Sequence, residues 1–185
     1  MEDWQVPLMR AMAAFVAESS GDVLEIGFGR GVAAELIQQH GVRSHTIVEP
    51  HPVSIERHFK PWQARHSGNA IRLIEGRWED VTNCLGIYDA VLFHAYPLNE
   101  EDFIRHIVDS IVYAEHAMPE MASRLRPGGV FTYLSTEVDS LSRRHQRLLF
   151  RHFSSITTSI LPLAVPPDTA DTWWAPSMVT VKAVK

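Results

Sequence analysis

Short apolar runs rich in β-branched residues alternate along the chain with longer stretches whose apolar positions recur every three to four residues. A strand buried on both faces reads as a continuous apolar run and its crossover helix as an amphipathic one, so the alternation predicts a parallel sheet covered by helices. The pattern predicts a helix over Pro7–Glu18, a buried strand over Asp22–Gly27, a helix over Gly31–His40 and a second strand over His45–Glu49. Pro52–His66 predicts a helix interrupted near Pro61. A strand over Ile71–Glu75, a short helix over Trp78–Cys84 and a fourth strand over Ala90–Ala95 follow. Glu100–Leu125 has helical periodicity with a kink or break at Pro119, and Arg126–Gly129 (RPGG) is a stop signal before a fifth strand over Val130–Leu134. A basic helix over Thr136–Phe153, a strand over Ser155–Ala164, a loop over Val165–Pro176 and a strand over Met178–Val184 complete the series. The last two strands predict an antiparallel edge hairpin, and no linker or repeat divides the chain, so one α/β domain over residues 1–185 is expected.

Composition narrows the class. With 185 residues, 45% of them hydrophobic, the chain can bury one real core. A net charge of −5 disfavours sequence-independent capture of nucleic acid, and Arg143, Arg144, His145, Arg147 and Arg151 read as a solvated helix face. No apolar run approaches the roughly 20 residues that cross a bilayer. Cys84 is the single cysteine, so neither an intrachain disulfide nor a cysteine zinc site can form, and no secretion signal opens the chain. A cytoplasmic setting without membrane or nucleic-acid partners is expected. The ten histidines show no ligand spacing, so no metal is expected.

The candidate chemistry sits after the first strand. Gly27, Gly29 and Gly31 form G-x-G-x-G between that strand and a helix, a turn that lets a ligand lie against the backbone. Glu49, 18 residues after Gly31, ends the second strand, where a carboxylate can accept both ribose hydroxyls of a nucleoside. A dinucleotide fingerprint would need glycine where Val32 stands, and no phosphate loop of the G-x-x-x-x-G-K type is present. A nucleoside ligand without a pyrophosphate remains.

These features resemble class I S-adenosylmethionine-dependent methyltransferases, and more narrowly the guanidinoacetate N-methyltransferase family. Trp4–Ala13 (WQVPLMRAMA), VLEIGFGRG, EGRWEDV at Glu75–Val81, YDAVLFHAYPLNEED at Tyr88–Asp102, RLRPGGVFTYLS and VPPDTADTWWAPSMVT carry the resemblance over nearly the whole chain. It implies a Rossmann-like sheet of seven strands, mostly parallel with an antiparallel C-terminal edge hairpin and helices on both faces. The implied cofactor is S-adenosylmethionine, leaving S-adenosylhomocysteine as product. The resemblance places Glu25, Gly27, Gly29, Gly31 and Glu49 around its methionine and ribose parts, Trp78 and Glu79 at its adenine, and His94 beside it. Trp4, Gln5, Tyr96 and Trp174 are implied on the acceptor side, with His94, Gln5 and Tyr96 nearest the chemistry, and Glu137 joins them as a candidate because it follows strand five at the carboxyl edge of the sheet, where open α/β folds bind ligands.

Two departures change the expected acceptor. The family carries carboxylates where this chain has Gln5 and His94, and a guanidinium, with its pKa above about 12, needs such acceptors to be held and to lose a proton. A neutral amide and a histidine do not supply that charge. The expected acceptor is therefore a small molecule other than guanidinoacetate, methylated on nitrogen, with His94 as base or acceptor-orienting group. An O-methyltransferase and a non-catalytic cofactor-binding module are the alternatives. The chain also begins almost at the family's W-x-x-P motif, so either a preceding stretch has been removed or the site is open, and an open site would take a bulkier acceptor or borrow a lid from a second subunit in a homodimer.

Overall fold

The computed structural model of the chain describes residues 2–108, 110–168, 173 and 175–185. A short 3-10 turn at Asp3–Gln5 leads into helix α1 (Val6–Ala17), whose first turn holds Pro7, where the missing N–H has no intrahelical partner to lose. Strand β1 (Asp22–Ile26), helix α2 (Val32–Gln39) and strand β2 (Ser44–Glu49) follow as the apolar pattern predicts.

The next helical run departs from expectation in an instructive way. Helix α3 (Pro52–Ser54) passes through a π-helical stretch at Ile55–Phe59 into helix α4 (Lys60–Arg65), so the run continues through Pro61 instead of breaking there. Proline lacks a donor and collides with the carbonyl four residues back; the wider turns before Pro61 supply another hydrogen-bonding pattern. Strand β3 (Ile71–Glu75) is as expected, but the predicted helix over Trp78–Cys84 is only a turn ending in a 3-10 segment at Thr82–Cys84. Strand β4 (Tyr88–Phe93) precedes helix α5 (Glu100–Phe103), a π-helical stretch at Ile104–Val108, a 3-10 segment at Tyr113–Ala117 and helix α6 (Met118–Ser123). Pro119 opens α6 and kinks nothing.

Strand β5 (Leu125–Tyr133) begins earlier than the apolar pattern suggests and contains the RPGG segment. The register with β4 jumps from Tyr88↔Leu125 to Ala90↔Val130, a bulge in which Gly128 takes φ +78° and hydrogen-bonds the Lys185 carbonyl. The predicted helix over Thr136–Phe153 shrinks to α7 (Arg143–Leu149), because Thr136 adopts φ +56° and the Ser142 side chain caps the helix by accepting from His145 N. Strands β6 (Ser155–Pro162) and β7 (Ser177–Val184) close the edge as an antiparallel hairpin.

All seven strands form one sheet in the order β3-β2-β1-β4-β5-β7-β6, parallel except at β7. The two faces can be read from alternate positions. Leu24, Val91, Phe93, Phe131 and Tyr133 pack with Met118, Met121, Leu148 and Leu149 on one side. Val23, Ala90, Leu92 and Val130 pack with Leu8, Met9, Met12 and Ile37 on the other. Each of these side chains contributes about 1.5–3 kcal/mol by leaving water. Strand order reverses between β1 and β4, and in open sheets of this kind the crevice beyond the carboxyl ends of those strands is where ligands lie. Among the described residues no helix is long and apolar enough to cross a membrane.

Candidate active site at the β1–β4 crevice

Two backbone hydrogen bonds set the floor of the crevice. Gly27 N donates to Val48 O at 2.9 Å and His94 N to Ile26 O at 2.9 Å, tying the ends of β2, β1 and β4 together. Gly27 has φ +92°, and a Cβ there would lie 2.5 Å from the His94 carbonyl, so both its conformation and its neighbour demand glycine. Gly29, at φ +55°, differs: a Cβ would meet nothing within 4 Å, and the loop backbone there faces open space. Gly31 is the left-handed N-cap of α2.

The Glu49 carboxylate organises this loop. Its Oε2 accepts from Phe28 N at 2.9 Å and Gly29 N at 3.0 Å, and its Oε1 accepts from His51 N at 2.9 Å. His51 lies between Pro50 and Pro52, neither of which has an N–H, so it supplies the one donor of that tripeptide. Oε1 keeps acceptor capacity beyond this single bond, which fits a ribose hydroxyl. Gly27, Gly29, Glu49, His51, His94 and Tyr96 together line a cavity of about 220 Å³.

His94 and Tyr96 also line a second, more apolar cavity of about 250 Å³, whose other walls include Phe93, Ile111–Ala114, Leu134 and Thr136. His94 Nε2 lies 3.2 Å from the Tyr96 hydroxyl. The His94 side chain is half-buried, and loss of solvent pulls its pKa down to about 4. At neutral pH the ring is therefore uncharged. None of the described residues lining this second cavity carries a charge at neutral pH.

Trp78 and Glu79 stand on the other side of the glycine loop, in a cleft with Ile26, Gly27, Val48 and Tyr113 that narrows to about 30 Å³. The Trp78 ring is buried edge-on to Phe93 at 6.1 Å, and its Nε1 has no hydrogen-bond partner, an unusual cost for a buried donor. Burial raises the Glu79 pKa, but His116 and Arg77, each 3.6 Å from Oε1, outweigh it and keep the carboxylate below its ordinary range. Tyr113, His116 and the Arg77–Asp102 ion pair at 3.1 Å complete this wall. Sequence reasoning missed Tyr113 and His116 because 100–125 reads as helical up to a kink or break at Pro119, which gives no reason to point either side chain at the crevice.

The other expected site residues lie elsewhere. Glu25 is fully buried within β1, with Oε2 2.9 Å from His45 Nε2; burial raises its pKa, and it stands below the crevice. Trp4 is buried in the core beside α1, and the buried Gln5 accepts from Glu2 N at 2.9 Å through its side-chain oxygen. Glu137 Oε1 contacts His145 Nδ1 at 3.1 Å and accepts from Ser142 N at 3.2 Å, committing it to the α7 cap. These four line neither cavity. Trp174 lies outside the described residues. Among the described residues no group of three His, Cys, Asp or Glu could hold a metal ion.

Comparison with known proteins agrees with this geometry. Residues 1–164 match the guanidinoacetate N-methyltransferase family. Among curated proteins, protein arginine N-methyltransferase 2 of Eremothecium gossypii is 26% identical over 140 residues, 73% of this chain and 32% of that protein. Its namesake in Aspergillus fumigatus is 28% identical over 118 residues, 60% and 27%. The chain thus spans about a third of the length of these relatives. Among solved structures, precorrin-6y C5,15-methyltransferase from Geobacter metallireducens superposes with a TM-score of 0.67 at 14% identity, over 97% of this chain and 88% of that one. Spermidine synthase from Thermotoga maritima gives 0.62 at 13%, over 99% and 59%. The open backbone at Gly29, the spare acceptor capacity of Glu49 and the unpartnered Trp78 donor all fit S-adenosylmethionine, the cofactor of the matched family. The chain belongs to the guanidinoacetate N-methyltransferase family of class I S-adenosylmethionine-dependent methyltransferases.

Proposed function

We propose that the chain methylates a nitrogen that is uncharged when it attacks, on a small-molecule acceptor held in the apolar cavity beside His94. The observation that carries this reading is the absence of charge among the described residues lining that cavity, with a neutral histidine where it meets the glycine-loop cavity. A guanidinium entering there would lose its hydration and find no carboxylate, a cost of several kcal/mol. An amine, imidazole or amide-like nitrogen in its neutral form avoids that cost.

Glu49 and the Gly27–Gly31 loop would hold the ribose and methionine parts of S-adenosylmethionine, and Trp78 and Glu79 its adenine. The cofactor supplies an electrophilic methyl on a sulfonium. His94 accepts the proton that the acceptor nitrogen gives up. The Tyr96 hydroxyl, 3.2 Å from Nε2, can donate to that atom or accept from it as the tautomer requires, so the contact orients the ring. The named relatives act on arginine in protein; the uncharged cavity is the reason for not carrying that acceptor over.

Mass-spectrometric detection of methyl transfer tests the reading, using guanidinoacetate, an arginine peptide, and amine, imidazole, hydroxyl and carboxylate acceptors. Turnover of a neutral nitrogen with both guanidinium compounds inert supports it. Turnover of guanidinoacetate or the arginine peptide, or of oxygen acceptors alone, overturns it.

A further inference from the structure

The chain is acidic overall, yet Arg143, Arg144, Arg147 and Arg151 converge on one groove of about 490 Å³, with Ile111 and Leu148 between them. Among the described residues Arg143, Arg147 and Arg151 make no ion pair, whereas Arg43, Arg77, Arg105, Arg124 and Arg126 all do. Among the described residues the groove's one acid, Glu115, accepts from Ile111 N. The like charges of Arg143, Arg147 and Arg151 repel one another, so gathering them is costly unless an anion joins them.

We propose that this groove binds an acidic segment of a partner polypeptide in extended conformation. Spacing supports the choice. Arg143 and Arg147 are one helical turn apart, about 6 Å along α7, and Arg151 continues the series in the turn that follows. Alternate side chains of an extended peptide repeat every 6.6–6.8 Å or so, so carboxylates at every second residue meet successive guanidiniums, each able to take a carboxylate bidentately. Leu148 and Ile111 offer the intervening side chains apolar contact. Nucleic acid fits less well, because among the described residues no aromatic side chain lines the groove to stack a base and the rest of the chain is acidic. Ile111 also lines the apolar cavity beside His94, so the bound segment lies next to the candidate active site.

The test reads binding, so it stands apart from whether the chain transfers methyl groups. Fluorescence anisotropy with a labelled peptide alternating Glu and Ala would be compared with a scrambled peptide of equal charge, an oligouridylate and inorganic phosphate as competitor. Variants would be R143A/R147A/R151A and, as control on a separate groove, R57A/R65A. The expected result is salt-sensitive binding of the alternating peptide, weakened at least tenfold in the triple variant and unchanged in the control, with the thermal midpoint of the triple variant no lower than that of the wild type. No peptide binding, equal binding by the triple variant, or preference for the oligouridylate or phosphate would overturn the proposal.

Discussion

The Nε2 atom of His94 and the hydroxyl of Tyr96 lie 3.2 Å apart at the carboxyl end of β4, on the wall shared by the glycine-loop cavity and the apolar cavity. Burial holds the ring neutral well below the ordinary histidine range, with a pKa of about 4. A base with an unperturbed pKa near 6.5 loses about tenfold of its active form between pH 7.5 and 5.5. With His94 as base and an amide-like acceptor that does not itself titrate between these values, kcat/KM is expected to stay within about twofold over that interval. A pH–rate profile checks this, and an acid limb centred near 6.5 would contradict it.

Glu49 satisfies three backbone donors at once, from Phe28, Gly29 and His51. Glu49→Ala strands them, and each unsatisfied buried donor costs about 1–3 kcal/mol before water reaches it. A loss of about 2 kcal/mol or more in urea unfolding is expected, together with at least a tenfold fall in S-adenosylhomocysteine affinity by calorimetry. Unchanged affinity would remove Glu49 from the cofactor site.

Gly27 and Gly29 separate steric from conformational cost. Alanine at either position bears about 1–2 kcal/mol for a left-handed backbone. At Gly27 the Cβ would also overlap the His94 carbonyl at 2.5 Å, adding about 1–3 kcal/mol. Gly27→Ala is expected to be the more destabilising of the two by urea titration, and to lower turnover by shifting the start of the His94 loop.

The buried Glu25–His45 pair makes a prediction with a definite sign. Burial raises the folded-state pKa of Glu25, so the folded chain holds that proton at pH values where the unfolded chain has released it. This contribution to stability is complete below the unfolded value near 4.5 and is lost as pH rises through the folded one. Stability curves of wild type and Glu25→Gln should therefore differ in slope above pH 4.5, with the wild type falling relative to the variant. His45→Ala, which leaves Glu25 without its partner, is expected to cost roughly 3–5 kcal/mol.

The sheet was legible in the sequence because a strand buried on both faces has no polar interruption: β1, β2, β3, β4 and β7 begin or end within a residue or two of their apolar runs. The start of β5 was not, since Arg-Pro-Gly-Gly has no apolar period and its pairing depends on Gly128 meeting Lys185 from the far end of the chain. Basic periodicity over Thr136–Phe153 looked helical throughout, whereas the positive φ of Thr136 and the Ser142 cap delay the helix by seven residues. In the site, the glycines and Glu49 were readable from spacing. The commitment of Gln5 to Glu2, of Glu25 to His45 and of Glu137 to His145 was not, because each partner is chosen by folding.

The most direct test of the central claim is a paired measurement on His94→Ala, made with an acceptor that the wild type turns over: kcat, and the dissociation constant of S-adenosylhomocysteine. His94 as the proton acceptor predicts a fall in kcat of about 10²–10⁴-fold with cofactor affinity changed less than threefold. Equal losses in both, or full turnover without the imidazole, would contradict the role assigned to it.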